Sequence, residues 1–282
     1  MKSFYLFLLI PIMTLSQSAD SLQFSTRFYD AVDQYVLLNS DDKNYSLGFV
    51  YIDEQAGFTF NWEGNTLKMT STGLVLQDKV DENLNMKVRL EPNWQLVHPL
   101  SNEEVVSLGL PEQPEWLEVY KANSDTNDYQ LAIGYFYNHV GASIHAISYL
   151  ENVYNDDPSF RNVIFELSYA YNATKQFDKA IAMLEKALKE EPKLLIYKEL
   201  GYSYLNTKNY EKSVEAYSKG LELEGTDQMK AEMALPIAQH FFNVGDEKEF
   251  KKWSKLSKKY SKKIPQFLQY LNYWNENFKV KK

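Results

Sequence analysis

The chain has 282 residues, 44% of them hydrophobic and 24% charged, with a formal net charge of −8 and no cysteine. That length and apolar content suit one large or two ordinary domains with real cores and exclude a disordered chain. The missing cysteine excludes disulfide staples, thiol catalysis, thiolate metal sites and a lipid carried on a cysteine. Charge is unevenly spread, with 17 acidic and 6 basic side chains in residues 20–120 against 4 acidic and 11 basic in residues 246–282. A phosphate backbone would be repelled by most of such a surface, so nucleic acid is not an expected partner.

The chain starts with Lys2, an apolar run over residues 4–15, and the small polar stretch Ser16-Gln17-Ser18-Ala19. This has the form of an export signal. The apolar part is about a dozen residues, short of the ~20 a membrane-spanning helix needs. Residues 1–19 are therefore expected to be a signal peptide, cleaved near Ala19 to Ser21 and leaving no transmembrane segment in the mature chain. The product would be periplasmic or secreted, and its lack of disulfides favours a bacterial periplasm.

Residues 20–110 read as a β-rich domain. The stretch YSLGFVYIDEQAGFTFNWEGNTLKM alternates as strands do, with strands expected at 45–52 and 57–62 around a hairpin loop at 53–56. Residues 74–77, 86–90 and 94–97 read as further short strands. Phe58, Phe60 and Trp62 share one strand face, which would be core or an exposed aromatic platform for a glycan. Residues 111–124 form a linker with a short helix, in which two prolines precede Trp116, Leu117 and Tyr120 at helical spacing.

Beyond the linker the period changes to that of helices, and one pattern returns. Gly134, Tyr137, Ala146, Leu150, Val153 and Pro158 have counterparts, all displaced by one constant interval, in Ser168, Tyr171, Ala180, Leu184, Ala187 and Pro192. A third copy, at almost the same interval again, offers Gly201, Tyr204, Ser213, Tyr217 and Gly220. Small residues that let two helices approach, with large ones filling between them, describe a repeated helix pair. In the second helix of the middle copy, Ala180, Ile181, Leu184, Ala187 and Leu188 mark one buried face, while Lys179, Glu185, Lys186 and Lys189 mark the other.

The pattern resembles the tetratricopeptide repeat, a helix–turn–helix unit with this period. The resemblance covers residues 125–263 as copies 125–158, 159–192 and 193–225, then a degenerate fourth, 226–263, built on Ala238 and Phe241 with Pro236 inside its first helix. Departures from the family pattern are Gln130, Ile164 and Tyr197 in the tryptophan slot, and Phe250 and Ser257 in small-residue slots. Residues 264–282 would supply a capping helix, with Phe267, Tyr270, Leu271, Trp274 and Phe278 on one face, and a basic tail. The expected fold is thus an α+β two-part chain: a small β-rich N-terminal domain followed by an α-solenoid of three to four such helix pairs and a C-terminal cap.

Candidates for chemistry are few. No phosphate loop, nucleophile elbow or His-Glu-X-X-His helix occurs. His139 and His145 flank a turn at Gly141 and suit structural or surface roles better than a metal pair. The pairs Asp41-Asp42, Glu103-Glu104 and Asp156-Asp157 read as solvated turns. Hence no catalytic residue, metal ligand or cofactor is expected. The resemblance implies instead that ligands lie along the concave face formed by the first helices, where the residue after the small slot points. That residue is Tyr135, Tyr169 and then Tyr202, with Asn138 and Asn172 in register one turn on and Asn206 one residue displaced.

Such ladders suit a protein partner presented as an extended peptide, with amides for its main chain and phenols for broad contact. Lys198 stands where a carboxylate-gripping lysine could serve, but Tyr202 replaces the asparagine that should accompany it. The expected function is an exported, non-catalytic scaffold for a protein of the cell envelope. The alternative makes the β-rich domain a glycan-binding or small enzymatic module that the repeats position. Eight lysines between Lys248 and Lys263 flank Phe250, Trp253, Tyr260 and Ile264, a pattern that also fits peripheral membrane contact.

Overall fold

A computed structural model describes residues 22–41, 44–70, 73–77 and 84–279. The expected signal peptide, Asp42 and the last three residues of the tail lie outside them. The chain divides into two compact units that part between Leu117 and Glu118.

Among its described residues the first unit is a six-stranded antiparallel sheet in the order β4-β3-β2-β1-β6, with β5 also paired to β3. Its strands are β1 (Gln34–Asp41), β2 (Asn44–Asp53), β3 (Gly57–Thr70), β4 (Gly73–Leu76), β5 (Met86–Arg89) and β6 (His98–Pro99). The β2–β3 hairpin closes where expected. Asp53 Oδ1 accepts from the backbone N–H groups of Gln55 and Ala56, and Gly57 follows at φ +85°, in the left-handed region that glycine enters without penalty. The long strand β3 serves two partners, β5 over Thr59–Trp62 and β4 over Leu67–Thr70.

Both sheet faces are covered, which explains why β2 is buried without alternation from Leu47 to Ile52. On one face Phe58 and Phe60 are buried with Val50, and Phe28 meets Phe58 edge-on at 5.2 Å. The ring of Phe60 fills the space that a Cβ on Gly48 would need, so residue 48 has to be glycine. Phe58 and Phe60 are therefore core, and Trp62, partly buried and donating through Nε1 to the Asn65 carbonyl at 2.8 Å, leaves no row of three exposed rings for a glycan platform. On the other face Leu37, Leu47, Leu67, Leu100 and Val105 cluster, and Trp116 packs edge-on against Phe49 and Tyr51.

Two expectations for this unit need correction. Residues 94–97 are not a strand: Trp94 lies in a turn closed on Glu91, and only Val97 pairs, in an isolated bridge with Thr26. Glu103 and Glu104 are not in a turn but open the short helix α1 (Asn102–Ser107), where Ser101 and Glu104 form a capping box.

A short helix α2 (Leu117–Lys121) begins at the division between the units, and four hairpins follow among the described residues of the second unit. They are α3 (Asn127–His139) with α4 (Ser143–Asp156), α5 (Val163–Ala173) with α6 (Phe177–Glu190), α7 (Leu194–Asn206) with α8 (Tyr210–Leu221), and α9 (Asp227–Val244) with α10 (Glu247–Tyr260), followed by α11 (Pro265–Asn277). Each hairpin packs on the next, and the first helices also touch in sequence, α3 on α5, α5 on α7 and α7 on α9. Small slots do what the pattern predicts. A Cβ on Gly134 would meet Leu150 at 2.5 Å and one on Gly201 would run into the Tyr217 ring, while Ala146, Ala180 and Ser213 have no exposed surface.

The same turn closes all four hairpins. A left-handed residue, Gly141, Lys175, Lys208 or Gly245, ends each first helix. The next residue's N–H then donates back to the carbonyl of Tyr137, Tyr171, Tyr204 or Phe241 at 2.7–3.1 Å. The degenerate fourth copy thus keeps the hairpin, and its extra length is taken up in α9, which runs through Pro236.

Candidate functional site

Because the first helices of the first three repeats carry a tyrosine directly after the small slot, packing these helices side by side places Tyr135, Tyr169 and Tyr202 in equivalent positions on α3, α5 and α7. All three are exposed, at 46%, 39% and 43%. Tyr135 stacks on His139 one turn along, and Tyr202 lies 6.4 Å from the ring of Phe177.

The asparagines behave differently. Asn138 and Asn172 are only 5% and 3% exposed. Asn138 Nδ2 donates to the main-chain carbonyl of Glu166 at 3.0 Å and to its Oε2 at 2.9 Å. Asn172 repeats this on Glu199 at 3.1 and 2.9 Å, and its Oδ1 accepts from Ser203 at 2.7 Å. Asn206 is exposed and donates to the Tyr202 carbonyl of its own helix at 2.9 Å. The expected asparagine ladder for a ligand's main chain is therefore corrected. Asn138 and Asn172 are buried ties between successive first helices.

Those ties expose a ladder absent from the sequence expectations: Glu166, Glu199 and Glu232 recur at equal intervals, one per repeat. Self-comparison of the chain at that interval is the signal that finds it. Leu205 stands where the third asparagine should be, so Glu232 lacks the amide its two counterparts have. It is held instead by Lys198 Nζ at 2.7 Å and Gln228 Nε2 at 3.1 Å. Lys198, expected to face a ligand, is thus paired within the protein across α7 and α9.

Tyr169, Asn172, Lys198, Glu199, Tyr202 and Glu232 line a pocket of about 380 Å³, with Leu205 and Pro236 as apolar wall. Burial pushes the carboxyls of Glu166 and Glu199 above the usual carboxylate range, against the asparagine donors that pull them down. Burial, and then the charge of Glu199, raises the Tyr169 phenol. The acids are closed into internal bonds, whereas the tyrosine rings are open.

A larger pocket of about 490 Å³ lies between α6, α7 and α8, and Glu185, Tyr204 and Lys212 in its lining are bonded to one another. Glu185 accepts from Tyr204 and from Lys212, whose ammonium sits 5.1 Å from the Tyr204 ring. One repeat earlier, Glu151, Tyr171 and Lys179 form the same triad. Both are repeat-to-repeat clasps. Among the described residues no group of three or more His, Asp or Glu side chains is placed to hold a metal ion.

Stacked helix pairs of this kind, with small-into-large packing and one shared turn, define an α-solenoid. Residues 145–200 and 196–227 each match a tetratricopeptide-repeat family model, so this part of the chain consists of tetratricopeptide repeats. Among solved structures, MamA is similar at 21% identity over 54% of this chain and 87% of that one, with a TM-score of 0.46. A thermophilic TPR protein of Thermus thermophilus follows at 14% identity, 57% and 87% coverage and a TM-score of 0.47. A TPR repeats protein of Bacteroides fragilis shows 15% identity, 62% and 92% coverage and a TM-score of 0.31. Curated proteins give no match.

Proposed function

We propose that the chain is a non-catalytic scaffold that holds an extended segment of a partner protein along the first-helix face of its repeats. The observation that carries this is the register of Tyr135, Tyr169 and Tyr202, three large rings left open on a face where Asn138, Glu166, Asn172 and Glu199 are tied to one another by internal bonds. Rigid phenols give broad contact at small entropic cost. The pocket beside Tyr169 and Tyr202 would receive one side chain of the segment. The form of residues 1–19 supports export, which makes an envelope protein the proposed partner.

Photo-crosslinking tests the reading directly. A benzophenone amino acid at position 202 should capture a partner in the native host, with the adducts mapping to one contiguous segment of it. The same probe at Lys186, exposed on the outer helix α6, should not. Equal capture at both positions would overturn the assignment of the binding face.

A further inference from the structure

The β-sheet unit has a pocket that the scaffold function does not use. It measures about 290 Å³ and is lined by Tyr35, Asn61, Glu63, Asn65 and Trp116, with Leu47, Phe49, Leu110, Pro111 and Pro114 as apolar wall and Glu115 at its margin. Its floor follows from strand register. Phe49 pairs with both Tyr35 and Asn61, so these three side chains share the sheet face opposite the Phe58–Phe60 core. The segment from Leu110 to Trp116 crosses that face, anchored where Trp116 packs on Phe49 and Tyr51.

The polar groups of this pocket are unbalanced. Asn61 Nδ2 and Trp116 Nε1 both donate to Glu63 Oε1, at 3.1 and 2.9 Å, which leaves Oε2 to another donor. Asn61 is 2% exposed, yet its Oδ1 accepts no hydrogen bond. A buried amide oxygen left in this state is unfavourable, so the surroundings of Glu63 are short of donors. The lining holds two carboxylates and no lysine, arginine or histidine. Tyr35 stays neutral: burial, and then the charge of Glu63, hold its phenol protonated, with its pKa pushed up to about 12.

The geometry points to a binding site for a guanidinium or primary ammonium group, seated at Glu63 Oε2 beside the Asn61 amide with its stem against the aromatic and proline wall. A cation with several N–H donors answers the open carboxylate oxygen and the missing positive charge, and aromatic walls favour cations over neutral groups. A free amine or guanidine metabolite and the side chain of a partner's lysine or arginine present the same chemistry.

The test uses the full chain and the indole N–H resonance of Trp116, assigned through Trp116→Phe. Acetyl-arginine amide should shift it saturably and bind roughly ten-fold or more tightly than its neutral isostere acetyl-citrulline amide, the factor expected of a charge-assisted hydrogen bond. Glu63→Gln should abolish that preference. The arginine–citrulline comparison needs no variant, so it stands even if Glu63→Gln destabilises the sheet. A pentapeptide with arginine between alanines separates the sources. Binding equal to the single amino acid supports a side chain presented by a partner, and weaker binding supports a free small molecule. Equal binding of citrulline amide or of N-acetylglucosamine would overturn the proposal in favour of a neutral ligand. No shift with any probe would overturn the site itself.

Discussion

Glu199 shows how much one side chain's surroundings decide. Asn172 on α5 donates to it, Lys198 stands beside it on α7, and Glu166 on α5 and Glu232 on α9 add negative charge. Burial outweighs the two favourable contacts and raises its pKa above the roughly 4.3 of an unfolded chain. The folded protein therefore holds a proton that the unfolded chain releases. The stability that this contributes is complete below about pH 4.3 and is lost as pH rises through the folded-state value. Glu199→Gln keeps an acceptor for Asn172 and removes the titration. The variant should match the parent at low pH and be the more stable of the two at neutral pH. Urea denaturation across pH 4 to 8 measures the difference, and a difference constant with pH would show that Glu199 ionises freely when folded. Residue roles of this kind are only half legible in the sequence. Tyrosines and asparagines recur with one period, and period does not report which side chain meets the next helix. Asn172 reads as a ligand donor because its acceptor, Glu199, belongs to the following repeat.

At the scale of elements the sequence is far more informative about helices than about strands. A helix pair is local, its small and large slots lie within a few turns, and three in-register copies multiply the signal. Strand pairing is not local. The first strand, Gln34–Asp41, escapes a reading by alternation because both sheet faces are covered, and Trp94 to Val97 reads as a strand because its composition suits one. The capping helix is legible in outline only. In α11, Leu271 and Trp274 are buried as expected, but Tyr270 is 44% exposed. What α11 covers is the cluster of Phe250 and Trp253 on α10 with Met233 and Ile237 on α9, which no further repeat follows among the described residues. Trp274, stacked 5.9 Å from Phe242, is the largest piece of that cover. Trp274→Ala should cost about 3–5 kcal/mol, the range for deleting a buried aromatic ring. Chemical denaturation reads this, and a loss under about 1 kcal/mol would mean that α11 is not part of the cooperative core.

For the molecule as a whole, two surfaces compete as the place where a partner attaches, and they make opposite demands on salt. The lysines of α10 and the loop after it, Lys248, Lys251, Lys252, Lys255, Lys258, Lys259, Lys262 and Lys263, are all exposed. Three of them are engaged locally, Lys251 with Glu247 at 2.5 Å, Lys252 with Glu249 at 3.2 Å and Lys259 with the Tyr260 hydroxyl at 3.3 Å. The apolar stripe that would let such a helix enter a membrane is not free, since Phe250 and Trp253 are buried in the terminal core. Any attachment through this face would rest on charge alone, and would weaken as the screening length falls from ~10 Å at 0.1 M towards ~3 Å at 1 M. The tyrosine face works through short-range contact and should bind nearly equally across that range. Once the crosslinked partner segment is in hand, its affinity should be measured at both salt concentrations for three proteins: the parent, Tyr169→Ala with Tyr202→Ala, and a variant with Lys255, Lys258, Lys259 and Lys262 changed to glutamine. The tyrosine variant should lose binding at both concentrations and the lysine variant should bind like the parent. The reverse pattern, with tyrosines dispensable and the lysine contribution fading in salt, would place the partner on α10 and leave the rings of the first helices as surface.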